Sequence, residues 1–298
     1  MMGGCGEDGG DGRTATQADE RRRGATPLAL CSPLRARVTG RVATPAATEL
    51  SGLALSRTQP GVLWTHNDSG DAARLFALAV DGRLRAELAV PNATNIDWEE
   101  IAIGDAIGDG DALYIADIGD NLARRSEIVV YAVPEPRLGD RQGTGATAPA
   151  RRIALRYPDG AHDAEALLVD PRSGALVIVT KSFGGEASVY SSRPRAAAGT
   201  LRRVGSLSLG VGEAVTAGSV SADGRTVALR SYGRAYVWTR RARESLPATL
   251  RRAPCVAGSE LMAEGQGEAL AVNRDGRALS TVAEGQRPPI RRYAAPGS

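Results

Sequence analysis

Five segments of the sequence share one pattern: an oxygen-bearing residue, a short apolar run, a turn rich in Gly, Asp or Pro, and a second apolar run. They read SGLAL from Ser51, EEIAI from Glu99, EALLV from Glu165, TAGSV from Thr216 and EALAV from Glu268. The turns that follow are RTQPG, GDGD, DPRSG, SADG and NRDG, and the second runs are VLWTHND, LYIADIGDN, LVIVTKS, VALRSYG and LSTVAEG. A third run places an aromatic at one register position each time: Phe76, Tyr131, Tyr190, Trp238 and Tyr293. The chain has 2 Phe, 3 Trp and 7 Tyr, so five of its twelve aromatics at one position mark a repeat rather than composition. Fourth runs read LRAELAV, RRIALRY, LRRVGSL and, least clearly, ATLRRAP at 248–254.

Units of roughly 40 to 60 residues with four short strands each cannot bury both faces alone and pack in a ring. The expected fold is therefore all-β, a five-bladed β-propeller with four-stranded blades. The last unit lacks a fourth strand, while an orphan run, ARVTGRVAT at 36–44, stands at the other end. Pairing the two would close the ring and remove open edges. A β-sandwich would show similar alternation but would not require a five-fold register. The propeller is expected over 35–298, with residues 1–34, rich in Gly, Asp, Arg and Thr, as a disordered leader. The stretch RLGDRQGTGATAPA, 137–150, reads as an excursion between the third and fourth strands of its blade. Helical periodicity is nearly absent, and no apolar run is long enough to span a bilayer.

A net charge of +3, carried almost wholly by scattered Arg, shows no basic stripe with interleaved aromatics, which excludes nucleic acid as the expected partner. The opening MMGGCGEDGGDG resembles the tail of a bacterial lipoprotein signal, with Cys5 as the lipid site and an acidic Gly-rich tether after it. The charged and apolar segments that should precede it are missing. Two readings follow: a lipoprotein leader whose start is placed too late, which gives an extracytoplasmic, lipid-anchored monomer, or a Gly-rich leader without function. Cys31 and Cys255 remain as a candidate pair for an oxidising compartment. The blade map sets them toward opposite faces and leaves the pairing open. There is no CxxC and no Cys/His cluster, so zinc is not suggested.

Consecutive strands of a blade are antiparallel, so starts of first runs and ends of second runs share one face. To the starts belong Glu49, Asp97, Asp163 and the five ring residues; to the ends belong His66, Asn67, Asp68, Asp117, Asp120, Asn121, Lys181, Ser182, Arg230 and Glu284. The sole lysine, Lys181, and both histidines, His66 and His162, map there. Three carboxylates at a channel mouth repel one another unless a cation joins them. Ser51, Glu99, Glu165, Thr216 and Glu268 are an oxygen-only ligand set, which suits Ca2+ better than Mg2+ or a transition metal. The bland alternative is that the glutamates are solvated or paired with Arg230 and Lys181. Glu100 stands out because its counterparts Gly52, Ala166 and Ala269 are small; the expectation is a supporting partner for an arginine.

The order Ser, Glu, Glu, Thr, Glu on successive inner strands resembles the central calcium site of the soluble calcium-activated nucleotidase (apyrase) family. ELSGLAL at 49–55 with THNDSGD at 65–71 is similar to that family's first blade, and TAGSVSADGRTVALRS at 216–231 to its fourth. Departures are His66-Asn67 in place of an acidic pair, Thr216 in place of serine, and Arg230 in place of lysine. IDWEEIAI, LYIADIGDN and HDAEALLVD are similar to bacterial extracytoplasmic propellers of the phytase-like and esterase-like kind. The resemblance implies calcium and hydrolysis of phosphate esters or anhydrides. In that reading Lys181 and Arg230 neutralise a small anionic substrate and Asp68 or Asp117 takes a proton from water. The opposing reading is a non-catalytic ligand- or protein-binding propeller with a structural calcium. A glycosidase using two carboxylates is less favoured, and no GxSxG supports a serine hydrolase.

Overall fold

In a computed structural model, the structure describes residues 29–105, 110–139, 143–193, 197–257 and 261–296. Cys5, the expected lipid site, and most of the expected leader lie outside the described residues. The short β-branched and apolar runs form strands, and the Gly- and Asp-rich stretches turn the chain between them. After β1 (Arg35–Arg41), a first group holds β2 (Leu50–Leu55), β3 (Val62–Asn67), β4 (Arg74–Ala79) and β5 (Leu84–Ala89). The second holds β6 (Trp98–Asp105), β7 (Asp111–Asp117) and β8 (Ile128–Pro134), then, after β9 (Gly143–Ala146), β10 (Arg151–Arg156). The third is β11 (Ala164–Val169), β12 (Leu176–Thr180), β13 (Glu186–Arg193) and β14 (Ala197–Ser208). The fourth is β15 (Val215–Val220), β16 (Thr226–Ser231), β17 (Ala235–Thr239) and β18 (Cys255–Ala257), and the last is β19 (Ala269–Val272), β20 (Ala278–Val282) and β21 (Pro289–Ala294).

Strand β1 pairs antiparallel with β21, from Arg35 opposite Ala294 to Arg41 opposite Pro289, so the orphan run completes the last group as expected. The third-strand aromatics are all buried, from 0 % exposed for Phe76 and Tyr190 to 5 % for Tyr131. Burial of each such ring is worth roughly 1.5–3 kcal/mol. Apolar clusters lie between successive groups: Trp64 with Trp98, Tyr114 with Ile178, Val177 with Trp238, Val237 with Leu279. A further cluster sets Leu63 and Phe76 of the first group against Val282 and Ile290 of the last.

Each junction between neighbouring groups also has an outer fastener. The stretch 137–150 is not a free excursion: its β9 adds a parallel edge strand to β5, Ala86 opposite Gly143 through Ala89 opposite Ala146. The outer strands β10 and β14 pair in parallel at Leu155–Gly199 and Arg156–Thr200, which merges the second and third groups into one eight-stranded sheet. Between the third and fourth, Arg240 makes a buried double contact with Asp170, 2.6 and 3.1 Å. Between the fourth and last, Cys31 is bonded to Cys255 with Cα atoms 5.7 Å apart, so the two cysteines share a rim rather than opposite faces. Between last and first, Thr39 donates to the Val80 carbonyl at 2.6 Å and Ala43 N to that of Gly82 at 2.9 Å.

One fourth strand differs from expectation. ATLRRAP does not form it; Leu246–Leu250 is a short helix, α1, and the strand comes later, at Cys255–Ala257. Ser245 caps the helix by accepting from Ala248 N, and Pro247 sits in its first turn, where a missing N–H costs nothing.

Candidate metal centre

The innermost strands break register at the level of the predicted ring. An extra residue falls between Trp98 and Glu100 on β6, between Ala164 and Ala166 on β11, and between Val215 and Ala217 on β15. Glu99, Glu165 and Thr216 are thus themselves bulged residues. On β2 the shift falls between Ser51 and Ala54, and Glu268 directly precedes β19. A bulge bends its strand and re-aims the side chain it carries. Repeated at one level, it brings carboxylates from different groups together.

Among the described residues, three sets of carboxylates have ligand atoms within 4.8 Å of one another: Asp68, Glu268 and Glu284; Asp68, Asp97 and Glu99; Glu99, Asp163 and Glu165. Shared members make them one belt of seven acids. Gly119 leaves the room for it, since a Cβ there would lie 2.2 Å from Glu99 Oε1 and 2.5 Å from Asp97 Oδ2. The lone lysine belongs to the same belt: Lys181 Nζ is 2.5 Å from Glu165 Oε1 and 5.8 Å from the centre of the Tyr232 ring. Tyr232 in turn donates to Glu268 Oε1 at 3.2 Å. Glu165 Oε2 is buried with no hydrogen-bond partner.

Burial and crowding push Asp68, Asp97, Glu99, Glu165 and Glu284 upward. Asp68 rises to about 6, through desolvation first and then the charges of Asp97, Glu268 and Glu49. Burial raises Glu165 to about 7, with Lys181 only partly offsetting it. Glu284 rises to about 8 through burial, then its hydrogen bond with Glu268 and that residue's charge. Glu99 goes well above the usual carboxylate range, from burial and then from Glu165, Asp68 and Asp97. Asp97 also rises, from burial and the neighbouring Asp163. Burial acts to lower Lys181, but the Glu165 carboxylate outweighs it and holds the ammonium charged. Hard oxygen donors in this state, with an orphaned buried carboxylate oxygen among them, fit a hard cation.

The remaining predicted residues divide. Ser51 Oγ donates to the Glu99 carbonyl at 2.7 Å and Thr216 Oγ1 to that of Gly267 at 2.9 Å, so both hydroxyls tie neighbouring inner strands and keep their lone pairs. Asp117 is fully buried; its Oδ1 accepts from Arg125 Nη1 at 2.8 Å and Asp97 N at 3.2 Å, which supports the Asp97 loop from beneath. Arg230 does not face a ligand. It is 0 % exposed, with Nη2 2.9 Å from Glu264 Oε2 and Nη1 donating to the Ala269 carbonyl, so its charge is spent inside the last junction. His66 is likewise interior: its ring stands edge-on to Trp98 at 5.4 Å, and burial lowers it to about 4, which keeps it neutral at neutral pH. His162 contacts Asp159 and the Tyr190 hydroxyl beside the belt, at 3.1 and 2.8 Å.

Glu100 partners backbone, not an arginine. From β6 it reaches Gly218 N on β15 at 2.7 Å and also accepts from Ile101 N at 3.0 Å, fully buried. Its counterpart Gly52, at φ +77, lets the β6 backbone come close: a Cβ there would lie 2.5 Å from Ile101 N. Sequence reasoning placed Asp97, Asp163 and Glu284 on this face but not among the ligands. The signal was present in the repeated Asp-x-Glu spacing of Asp97–Glu99 and Asp163–Glu165.

No protein-family model matches the sequence, and comparison with curated proteins finds no match. Among solved structures, a gluconolactonase from Xanthomonas campestris aligns at 11% identity over 90% of this chain and 92% of its own, with a TM-score of 0.53. A glucose dehydrogenase aligns at 10% identity over 87% of this chain and 99% of its own, with a TM-score of 0.50. No helix among the described residues is long and apolar enough to cross a membrane. At these identities the likeness is one of architecture, and the chain has a propeller-type all-β fold.

Proposed function

We propose that this chain is a five-bladed, extracytoplasmic β-propeller whose axial acidic belt binds calcium. The clusters between all successive strand groups and the closing β1–β21 pair support the blade count. The Cys31–Cys255 bridge supports an oxidising compartment. The observation that carries the calcium reading is the belt itself: seven carboxylates from four of the strand groups crowd together with a single ammonium, bonded to Glu165, which keeps a second, buried oxygen without a hydrogen-bond partner. Glu99, Glu165 and Glu268 would supply carboxylate ligands along the belt, with Ser51 and Thr216 offering hydroxyl lone pairs. When bound, calcium supplies charge neutralisation and polarises an oxygen ligand.

The geometry favours a binding module over a hydrolase. Both cationic side chains expected to meet an anionic substrate are engaged, Lys181 by Glu165 and Arg230 by Glu264. Hydrolysis of phosphate esters or anhydrides remains the second reading because Asp68, half-buried and raised to about 6, is able to take up a proton near neutral pH. The test is calcium titration by calorimetry, with melting temperature and phosphate release from nucleoside diphosphates and phosphate esters measured in calcium and in chelator. Binding and stabilisation without turnover support the module; turnover that chelator abolishes replaces it with the hydrolase. Absence of calcium binding overturns the site.

A further inference from the structure

We propose that the belt holds two hard divalent cations at separate subsites, one between Asp68, Glu268 and Glu284 and the other between Glu99, Asp163 and Glu165. This rests on the calcium reading and deepens it. A single axial ion would require the ring glutamates to converge on one point, and they do not. Among the described residues, Glu268 shares a set only with Asp68 and Glu284, and Glu165 only with Glu99 and Asp163. On one side Lys181 and Tyr232 stand between them, the ammonium bonded to Glu165 and the phenol to Glu268. On the other side the sets connect through Asp68, Asp97 and Glu99, whose oxygens lie within 4.8 Å of one another and can bridge.

Charge points the same way. Seven carboxylates against Lys181 leave a formal −6 when all are ionised, and one divalent ion leaves −4 in a partly buried site. A second ion halves that residue of charge, and water and backbone oxygens complete coordination without further protein charge. Glu165, whose side chain is only 2 % exposed, has one oxygen on Lys181 and a second that accepts no hydrogen bond, which leaves that carboxylate a free lone pair for an ion at the second subsite.

The experiment is ion stoichiometry on the purified full chain, by equilibrium dialysis against calcium with elemental analysis and by native mass spectrometry. Wild type is expected to retain two ions, Glu284→Gln and Asp163→Asn one each, and the double variant none, with unchanged circular dichroism. Both single substitutions remove charge from a repelling cluster, so loss of fold is not the expected outcome. One ion in wild type, lost equally in either variant, overturns the two-subsite arrangement while leaving the calcium reading intact. No ion in wild type overturns both.

Discussion

In chelator, the protein should become less stable as pH rises from about 5 to about 8, which is the reverse of ordinary acid denaturation. The perturbation is chelation, and the groups responsible are Asp68, Glu165 and Glu284, raised to about 6, about 7 and about 8 from ordinary values of 3.8, 4.5 and 4.5. Through that window the folded chain keeps protons that the unfolded chain has already released. Each raised carboxyl therefore favours folding fully below its unfolded value, and that contribution is lost as pH climbs through the folded one. Glu165 is the group to count, since it is only 2 % exposed. At ~1.4 kcal/mol per pH unit its rise to about 7 gives a loss of about 3 kcal/mol. Asp68 and Glu284 add less because water screens them. For a domain of this size that is roughly 6–12 °C in melting temperature. Calcium should flatten or invert the trend, because a bound cation holds the carboxylates ionised, and binding near pH 6 should release protons to the buffer. Scanning calorimetry across the pH range, in chelator and in calcium, reads the first effect; calorimetric titration in buffers of different ionisation enthalpy reads the second. A metal-free melting temperature that rises or stays level over this window refutes the electrostatic account of the belt.

Gly119→Ala should fold, as Gly119 has no positive φ, yet weaken calcium at least tenfold, because its Cβ would lie 2.2 Å from Glu99 Oε1; calorimetric titration checks this. Glu100→Ala should cost about 2–5 kcal/mol in urea unfolding by leaving the amides of Ile101 and Gly218 without their acceptor, whereas Glu100→Gln should recover most of it. Cys31→Ser should lower stability by about 2–5 kcal/mol, with reductant producing a similar drop in wild type and none in the variant.

The repeat and its aromatics were legible because an aromatic at one register position and an apolar run at another are local signals. They placed every third strand and led to the closing β1. Of the ring residues, Glu99, Glu165 and Glu268 met in one belt, which is wider than the ring, while Ser51 and Thr216 tie neighbouring inner strands. A bulge is a single extra residue in a strand of about six, so it changes parity at one point and leaves the alternation looking intact. That hid the device at Glu99, Glu165 and Thr216. Glu100 was opaque for a different reason: its partner, Gly218, is 118 residues away on another inner strand. Arg230 misled because the end of a second run faces the site in most groups, while here Glu264, from the connection before β19, captures it. The helix Leu246–Leu250 took the place of an expected strand because Ser245 and Pro247 outweigh the alternation of the residues that follow.

The outer fasteners acquire a further meaning from the belt. A wheel whose hub carries like charges is under outward load, and each spoke is pressed away from the axis by its neighbours' carboxylates. Backbone pairs at β5–β9 and β10–β14, the Arg240–Asp170 contact, the Cys31–Cys255 bond and the Thr39–Val80 bond together act as a tyre that resists this spreading. A rim of this kind holds the proposed calcium site in its set geometry before any ion arrives.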